Sequence, residues 1–294
     1  MKQVLRRVLP AEWVATLAAA HRRVDLSLAA ALGKALSALP LRIRALTRSG
    51  LGSSGRLDYA SGSIRLMVDS EAELARLRSC FKEPETVAWI ERFVQPGEVV
   101  FDIGANVGAY SLVVDRAKAG SCKVYAFEPS FSSFAQLNRN VALNGSQGRV
   151  IPMLVALSDV SGLVSFNYSS LAPGAALHTL GEPPANPPFE PGFSQPVLSY
   201  RMDDFIRQFS LPAPNHIKLD VDGVELKVLQ GAREALANPA LRTVLVELEP
   251  SRPESSAIEN LLVTNGFSLH GRHPHGPNGD CTTNVVYVRE GRPA

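Results

Sequence analysis

The sequence predicts an α/β fold: a doubly wound, mainly parallel sheet with helices on both faces, an antiparallel terminal hairpin and a helical N-terminal extension. Three observations carry this. From residue 98 onward, short apolar runs alternate with stretches of helical periodicity. A glycine-bearing turn, Asp102-Ile-Gly-Ala-Asn-Val-Gly108, follows the first of those runs directly. The last two apolar runs, 267–272 and 284–289, have only a His/Gly/Pro-rich loop between them. The chain has 294 residues, 45% hydrophobic and 20% charged, which is enough apolar material for a full core.

The elements follow in order. Residues 1–48 read as helix punctuated by Pro10 and Pro40, with Leu5, Val8, Leu9, Trp13 and Leu17 at helical spacing. The best apolar run, 26–39, is too short for a membrane span and carries Lys34. Charged residues from Glu12 to Asp25 also make it a poor signal-peptide core. Residues 1–50 carry nine Lys and Arg against two acids, a net of +7 that leaves −5 for the rest. Such a basic head suits peripheral contact with a membrane surface, or a homodimer through residues 1–48. The Gly/Ser-rich stretch 49–63 reads as a linker, dividing the chain into an extension, 1–63, and a main domain, 64–294.

The main domain begins with a short strand at 64–68 and a helix over 70–94, stopped by Pro96-Gly97. Strand 99–103, helix 108–119, strand 123–127, helix 131–143 and strand 150–156 come next. The alternation resumes with strand 217–219, helix 224–237, strand 243–248 and helix 254–265. Between the two halves, 162–168 and 196–200 look like strands around a proline-rich loop. A loop of that length in a compact domain is usually functional, so 173–196 is expected to cover a site. The cysteines Cys80, Cys122 and Cys281 are odd in number and scattered. They argue against disulfides or a zinc site and fit a reducing, cytoplasmic setting.

In doubly wound folds, ligands sit beyond the carboxyl ends of the strands. Gly104 lets the chain turn tightly there, Asn106 shapes the loop, and Gly108 lets the next helix start close to a ligand. Asp102 ends the strand and can orient the loop or accept from an ammonium group. The spacing is Gly-x-x-x-Gly, without the third glycine that a dinucleotide pyrophosphate demands. That favours a nucleoside with a cationic amino-acid tail, as in S-adenosylmethionine (SAM), over a nicotinamide cofactor. Glu128, ending the second strand in Val-Tyr-Ala-Phe-Glu-Pro, can accept both ribose hydroxyls. Asp159 follows the third strand, either as acceptor for an adenine amino group or as a turn residue.

These residues belong to an ordered set: Asp102-Ile-Gly-Ala-Asn-x-Gly-x-Tyr110-Ser111, then Phe-Glu-Pro with Leu137, Asn140 and Asn144 behind it. Met202-Asp-Asp-Phe205, the block Ile217-Lys-Leu-Asp-Val-Asp-Gly-Val-Glu225 and Thr283-Asn-Val285 complete it. The set resembles the FkbM family of SAM-dependent methyltransferases over about 97–290. The resemblance implies a Rossmann-like class I methyltransferase sheet. It also implies methylation of a hydroxyl on a sugar, a glycan-linked acceptor or a secondary metabolite, and it adds Tyr110 and Ser111 to the cofactor residues. Where the family usually has Asp-Val-Glu-Gly, this chain has Asp220-Val-Asp222-Gly, one methylene shorter.

Methyl transfer to a hydroxyl needs in-line alignment and a base within hydrogen-bond reach. Asp220, ending its strand near the switch region, is the first choice to face SAM or the acceptor. Asp222 and Glu225 follow on the turn, where they also complement a helix N-terminus. Glu247 and Glu249 end the next strand, to hold the acceptor or, with Asp220, a cation, although no tight ligand cluster predicts a metal. His178, in the expected cover, is a candidate base, whereas His270, His273 and His275 read as solvated loop residues. Nucleic acid is not an expected partner, because the basic residues are not interleaved with aromatics around the site. The competing reading is a non-catalytic SAM-binding scaffold that docks through its basic helix.

Overall fold

The computed structural model describes residues 11–50, 52–183, 189–275 and 282–289. Contacts divide the chain into a unit ending at Gly52 and a unit starting at Ser53. The first unit holds helices α1 (Ala11–Ser37) and α2 (Leu41–Gly50), interrupted before Pro40. Among the described residues, no helix is long and apolar enough to cross a membrane.

The second unit opens with β1 (Ser54–Arg56), which pairs antiparallel with β2 (Arg65–Met67). Part of the expected linker is therefore a strand. The expected helix 70–94 is three: α3 (Glu71–Arg76), α4 (Ser79–Lys82) and α5 (Pro84–Phe93). The Ser70 side chain accepts from Glu73 N to start the first, and Pro84 starts the third, where its missing N–H costs nothing. Next come β3 (Val99–Ile103), α6 (Ala109–Ala117), β4 (Lys123–Phe127), α7 (Phe131–Leu143) and β5 (Val150–Met153). Short strands follow, β6 (Ala156–Leu157), β7 (Gly162–Tyr168), β8 (Thr179–Leu180) and β9 (Phe193–Tyr200), then α8 (Met202–Phe209). The second half is β10 (His216–Leu219), α9 (Glu225–Gln230), α10 (Arg233–Ala237), β11 (Thr243–Leu248), α11 (Pro253–Thr264), β12 (Phe267–His275) and β13 (Thr282–Arg289). The expected helix 224–237 breaks at Gly231, where a Cβ would stand 2.0 Å from the Ser158 carbonyl oxygen.

The main sheet has seven strands in the order β12-β13-β11-β10-β3-β4-β5. The five from β11 to β5 are parallel, and β13 and β12 are antiparallel. This is the doubly wound sheet with a terminal hairpin that the sequence predicts. Strand order runs outward from β3 through β4 to β5 and, on the other side, from β10 to β11. The switch point therefore lies between β3 and β10. Side chains alternate between two cores, one on each face. Val100, Val124, Leu245 and Val286 join Trp89, Leu112 and Leu137 on one face. Phe101, Phe127, Ile217, Val246 and Tyr287 join Val228, Leu229 and Leu262 on the other. A second, four-stranded sheet, β6-β9-β7-β8, stands beside the first.

Several polar residues of the ordered motif tie these pieces together. Asn140 accepts from Met67 N at 2.7 Å and donates to the Val107 carbonyl at 2.9 Å, joining β2 to the glycine turn. Asn144 brackets Arg65 in the same way, through its N–H and its carbonyl. The carboxylate of Asp203 accepts from Glu234 N and Ala235 N, capping α10 from α8. Asn284 donates to Glu85 at 2.9 Å and so fastens β13 to α5.

Candidate functional site

The turns after β3 and β10 meet backbone to backbone. Gly104 has φ +81, and a Cβ on it would lie 1.8 Å from the Asp220 carbonyl oxygen, so only glycine fits. Asn106 follows with φ +51. Its backbone N–H donates to Glu128 Oε2 at 2.8 Å, and its side-chain amide donates to the Ala175 carbonyl at 2.7 Å. One residue thus links the glycine turn to the end of β4 and to the segment before β8. The second oxygen of Glu128 accepts from Ser130 N at 2.8 Å. Burial, partly offset by these two N–H donors, raises Glu128 to about 7.

A cavity of about 290 Å³ opens beyond these turns. Glu128, Gly104 and Asn106 line it on one side, Val155, Ala156 and Leu157 on another, and Asp220, Asp222 and Glu247 on a third. Arg76 and Lys82 supply its positive charge. The segment Ala175–His178 also lines it, so part of the stretch 173–196 reaches the cavity. Residues 184–188 of that loop lie outside the described residues. A second cavity, about 470 Å³, adjoins the first and shares with it Leu177, His178, Leu180, Asp222, Val224, Glu247 and Thr282. It adds Glu182, Glu225, Glu249 and Glu254, against Lys227 and Arg252, so its lining is strongly acidic.

The other sequence candidates fall outside the first cavity's lining and hold its frame. Asp102 is buried on β3 and accepts from Ser111 Oγ at 2.5 Å. Gly108, φ +84, starts α6 where a Cβ would strike Leu137. The hydroxyl of Tyr110 donates to the Ser79 carbonyl at 2.9 Å. Asp159 accepts from Ser158 Oγ at 2.9 Å, two residues past the lining residue Leu157. Glu225 accepts from Gly223 N and Val221 N, bracing the turn, and lines the second cavity only. Glu249 pairs with Arg252 at 2.5 Å. His270 is exposed and packs edge-on against Phe93; the His275 side chain and Cys281 lie outside the described residues. Among the described residues, no group of three or more His, Cys, Asp or Glu side chains could hold a metal ion.

Sequence reasoning overlooked Lys218. It is 3% exposed, paired in register with Asp102 across β10 and β3, and its ammonium donates to Asp220 at 2.9 Å above the Tyr110 ring. Burial works to lower its pKa, but Asp220, Asp102 and Glu83 outweigh burial and raise it. Asp102, Lys218, Glu247 and Asn284 all point to one face of adjacent strands, and alternation within the strands was the signal that could have revealed them. Arg76 was also overlooked. Its guanidinium donates twice to the Gly174 carbonyl, at 3.1 and 3.0 Å.

Asp222 has φ +55, and its carboxylate accepts from Leu177 N at 2.7 Å, a second tie to the cover. Burial and the neighbouring Asp220 raise its pKa. His178 is 8% exposed and packs against Phe166 and Tyr168. Its Nδ1 accepts from Ser169 N at 3.2 Å, which leaves the proton of the neutral ring on Nε2. Burial and Arg76 lower its pKa to about 4, so the ring is neutral at pH 7 and offers a donor.

A family model described as the methyltransferase FkbM domain matches residues 102–269. Hexuronic acid methyltransferase AglP of Haloferax volcanii is 28% identical over 202 residues, covering 68% of this chain and 77% of that protein. The 31-O-demethyl-FK506 methyltransferase FkbM of Streptomyces tacrolimicus is 30% identical over 201 residues, covering 60% of this chain and 75% of that protein. Among solved structures, the methyltransferase FkbM of Methylobacillus flagellatus KT aligns with a TM-score of 0.48 and 18% identity. That alignment covers 66% of this chain and 44% of the other.

Proposed function

The chain belongs to the FkbM methyltransferase family, and from that premise we propose that it transfers a methyl group from SAM to a hydroxyl of a sugar, a glycan-linked acceptor or a secondary metabolite. One observation carries the reading. The carboxylate of Glu128 stands at the end of β4, fixed by two backbone N–H groups, on a cavity that joins a second, acidic cavity. The residues suit the donor. Glu128 can take the ribose hydroxyls, the apolar strip Val155–Leu157 the adenine, Arg76 and Lys82 the carboxylate, and Asp220 the ammonium. When bound, SAM supplies a methyl group on a positively charged sulfur.

The chain's own contribution is placement. The segment Ala175–His178 lines the donor cavity, and the neutral His178 offers its Nε2–H beside both cavities. Glu225 braces the turn after β10 by accepting from Gly223 N, and Asp222 ties that turn to Leu177. The names of the two relatives, one acting on a hexuronic acid and one on 31-O-demethyl-FK506, support oxygen as the nucleophile. The acidic second cavity favours an acceptor that is uncharged or cationic. The first unit, ending at Gly52, serves in this reading as an attachment segment. Its helices expose Leu32, Leu41 and Leu46 beside Arg42 and Arg44, the chemistry of a membrane surface.

Calorimetric titration with SAM tests the donor site. Binding that weakens in Glu128→Ala supports it, and no binding by the intact protein overturns it. Mass-detected methylation across hydroxyl compounds separates catalysis from the scaffold reading, which expects donor binding without turnover.

A further inference from the structure

Among the described residues, three ionisable side chains line both cavities and so stand where donor and acceptor meet: His178, Asp222 and Glu247. Two of them are committed elsewhere. His178 uses Nδ1 to accept from Ser169 N, so the nitrogen left over carries a proton and can only donate. Among the described residues, Nε2 has no partner in the absence of a ligand. Asp222 accepts the N–H of Leu177 at 2.7 Å, which ties one of its carboxylate oxygens to the segment Ala175–His178.

We propose that Glu247 is the general base of the reaction, taking the proton of the acceptor hydroxyl. The proposal rests on the methyltransferase reading above. Glu247 ends β11, next to Asn284 of β13 in register, and its hydrogen bond with Thr282 is a light commitment. The groups around it come from four elements. Lys218 faces it from β10 and Asp220 from the turn that follows, Glu83 from the junction of α4 and α5, Lys82 from α4, and Thr282 from β13. The amide of Asn284 is spent on Glu85, Glu83 and Thr86. Burial first, then Asp220 and Glu83, raise Glu247 to about 8, against the opposing pull of Thr282 and Lys218. A carboxylate of that affinity is matched to proton transfer near neutral pH.

The step balances. The acceptor O–H bond breaks and its proton passes to a carboxylate oxygen of Glu247. The acceptor oxygen forms the new bond to the methyl carbon. The carbon–sulfur pair stays with sulfur, which loses its positive charge. Glu247 then returns its proton to water through the second cavity.

The test needs no acceptor. SAM carries the sulfonium charge and S-adenosylhomocysteine does not. A series from pH 6 to 9 crosses the range in which the raised Glu247 carboxyl titrates. A cation brought beside it expels part of a proton, which calorimetry in buffers of different ionisation enthalpy reads as the SAM-minus-homocysteine difference. That difference is expected in the parent protein and is expected to vanish in Glu247→Gln, whose SAM affinity falls by less than about tenfold. Glu247→Asp, which keeps the carboxylate, is expected to restore part of it. Should Glu247→Gln fail to fold, carbon-13 NMR of the parent's glutamate carboxyls follows the same titration, with and without SAM. A difference that persists in Glu247→Gln, or is missing from the parent in either measurement, overturns the proposal. Failure of SAM to bind at all instead overturns the methyltransferase reading.

Discussion

Glu128 offers the sharpest separation of function from stability. Its carboxylate is 5% exposed, and burial raises it from 4.5 to about 7. Between those values the unfolded chain loses its proton while the folded chain keeps it, so stability falls as the pH rises from 4.5 to 7 and the penalty is constant above. At 1.36 kcal/mol per unit, that penalty is about 3 kcal/mol at pH 8. Glu128→Gln removes it. The amide retains one acceptor for the two N–H groups of Asn106 and Ser130, and leaving the other unpaired costs about 1–3 kcal/mol. The two effects oppose, so the melting temperature at pH 8 should be unchanged or a few degrees higher. Donor affinity should move the other way. Loss of charge-assisted bonds to the ribose, worth about 1.5–3 kcal/mol, weakens SAM binding by roughly 10- to 150-fold. Differential scanning fluorimetry and calorimetry on the same samples read both. A large drop in melting temperature with unchanged SAM affinity would refute the reasoning, because it would make Glu128 a structural residue.

Three further outcomes follow from the geometry. Gly104→Ala should destabilise the protein by at least about 2 kcal/mol in urea unfolding, because its Cβ meets the Asp220 carbonyl at a positive φ. Nitrogen-15 NMR of the His178 ring should show a neutral Nε2–H form from pH 6 to 8; since its pKa falls to about 4 on folding, its contribution to stability is lost as the pH drops from 6.5 to 4. Asp222→Ala removes the acceptor of the Leu177 N–H, so hydrogen exchange at Leu177 should quicken about tenfold or more, while amides in β3 keep their rates.

Much of the sheet was legible because its strands are short apolar runs between helical stretches, and the turn Asp102–Gly108 marked where the ligand cavity lies. The small sheet was harder. β6 and β8 are two residues each, too short for any periodicity, and exist only because β9 and β7 lie beside them. The helix Met202–Phe209 went unread, since Met202–Phe205 entered only as part of the ordered motif; Asp203 caps a neighbouring helix. The candidate site followed the same rule. Glu128, Asp220, Asp222, Glu247 and His178 were nameable from their places at strand ends or in the cover. Lys218 hid in an apolar run, and its burial depends on Asp102, Asp220 and Tyr110, which arrive from other segments.

Asn106 and Asp222, each in the left-handed region, hold the same short segment of chain from opposite turns of the main sheet. Everything between those two anchor points and β9 belongs to the small sheet and its proline-rich connection. Residues there can lengthen, shorten or change in kind while the anchors and the five parallel strands stay as they are. Change in that excursion reaches the first cavity only where Ala175–Leu180 line it, while Gly104, Glu128 and Asp220 keep their places at the strand ends.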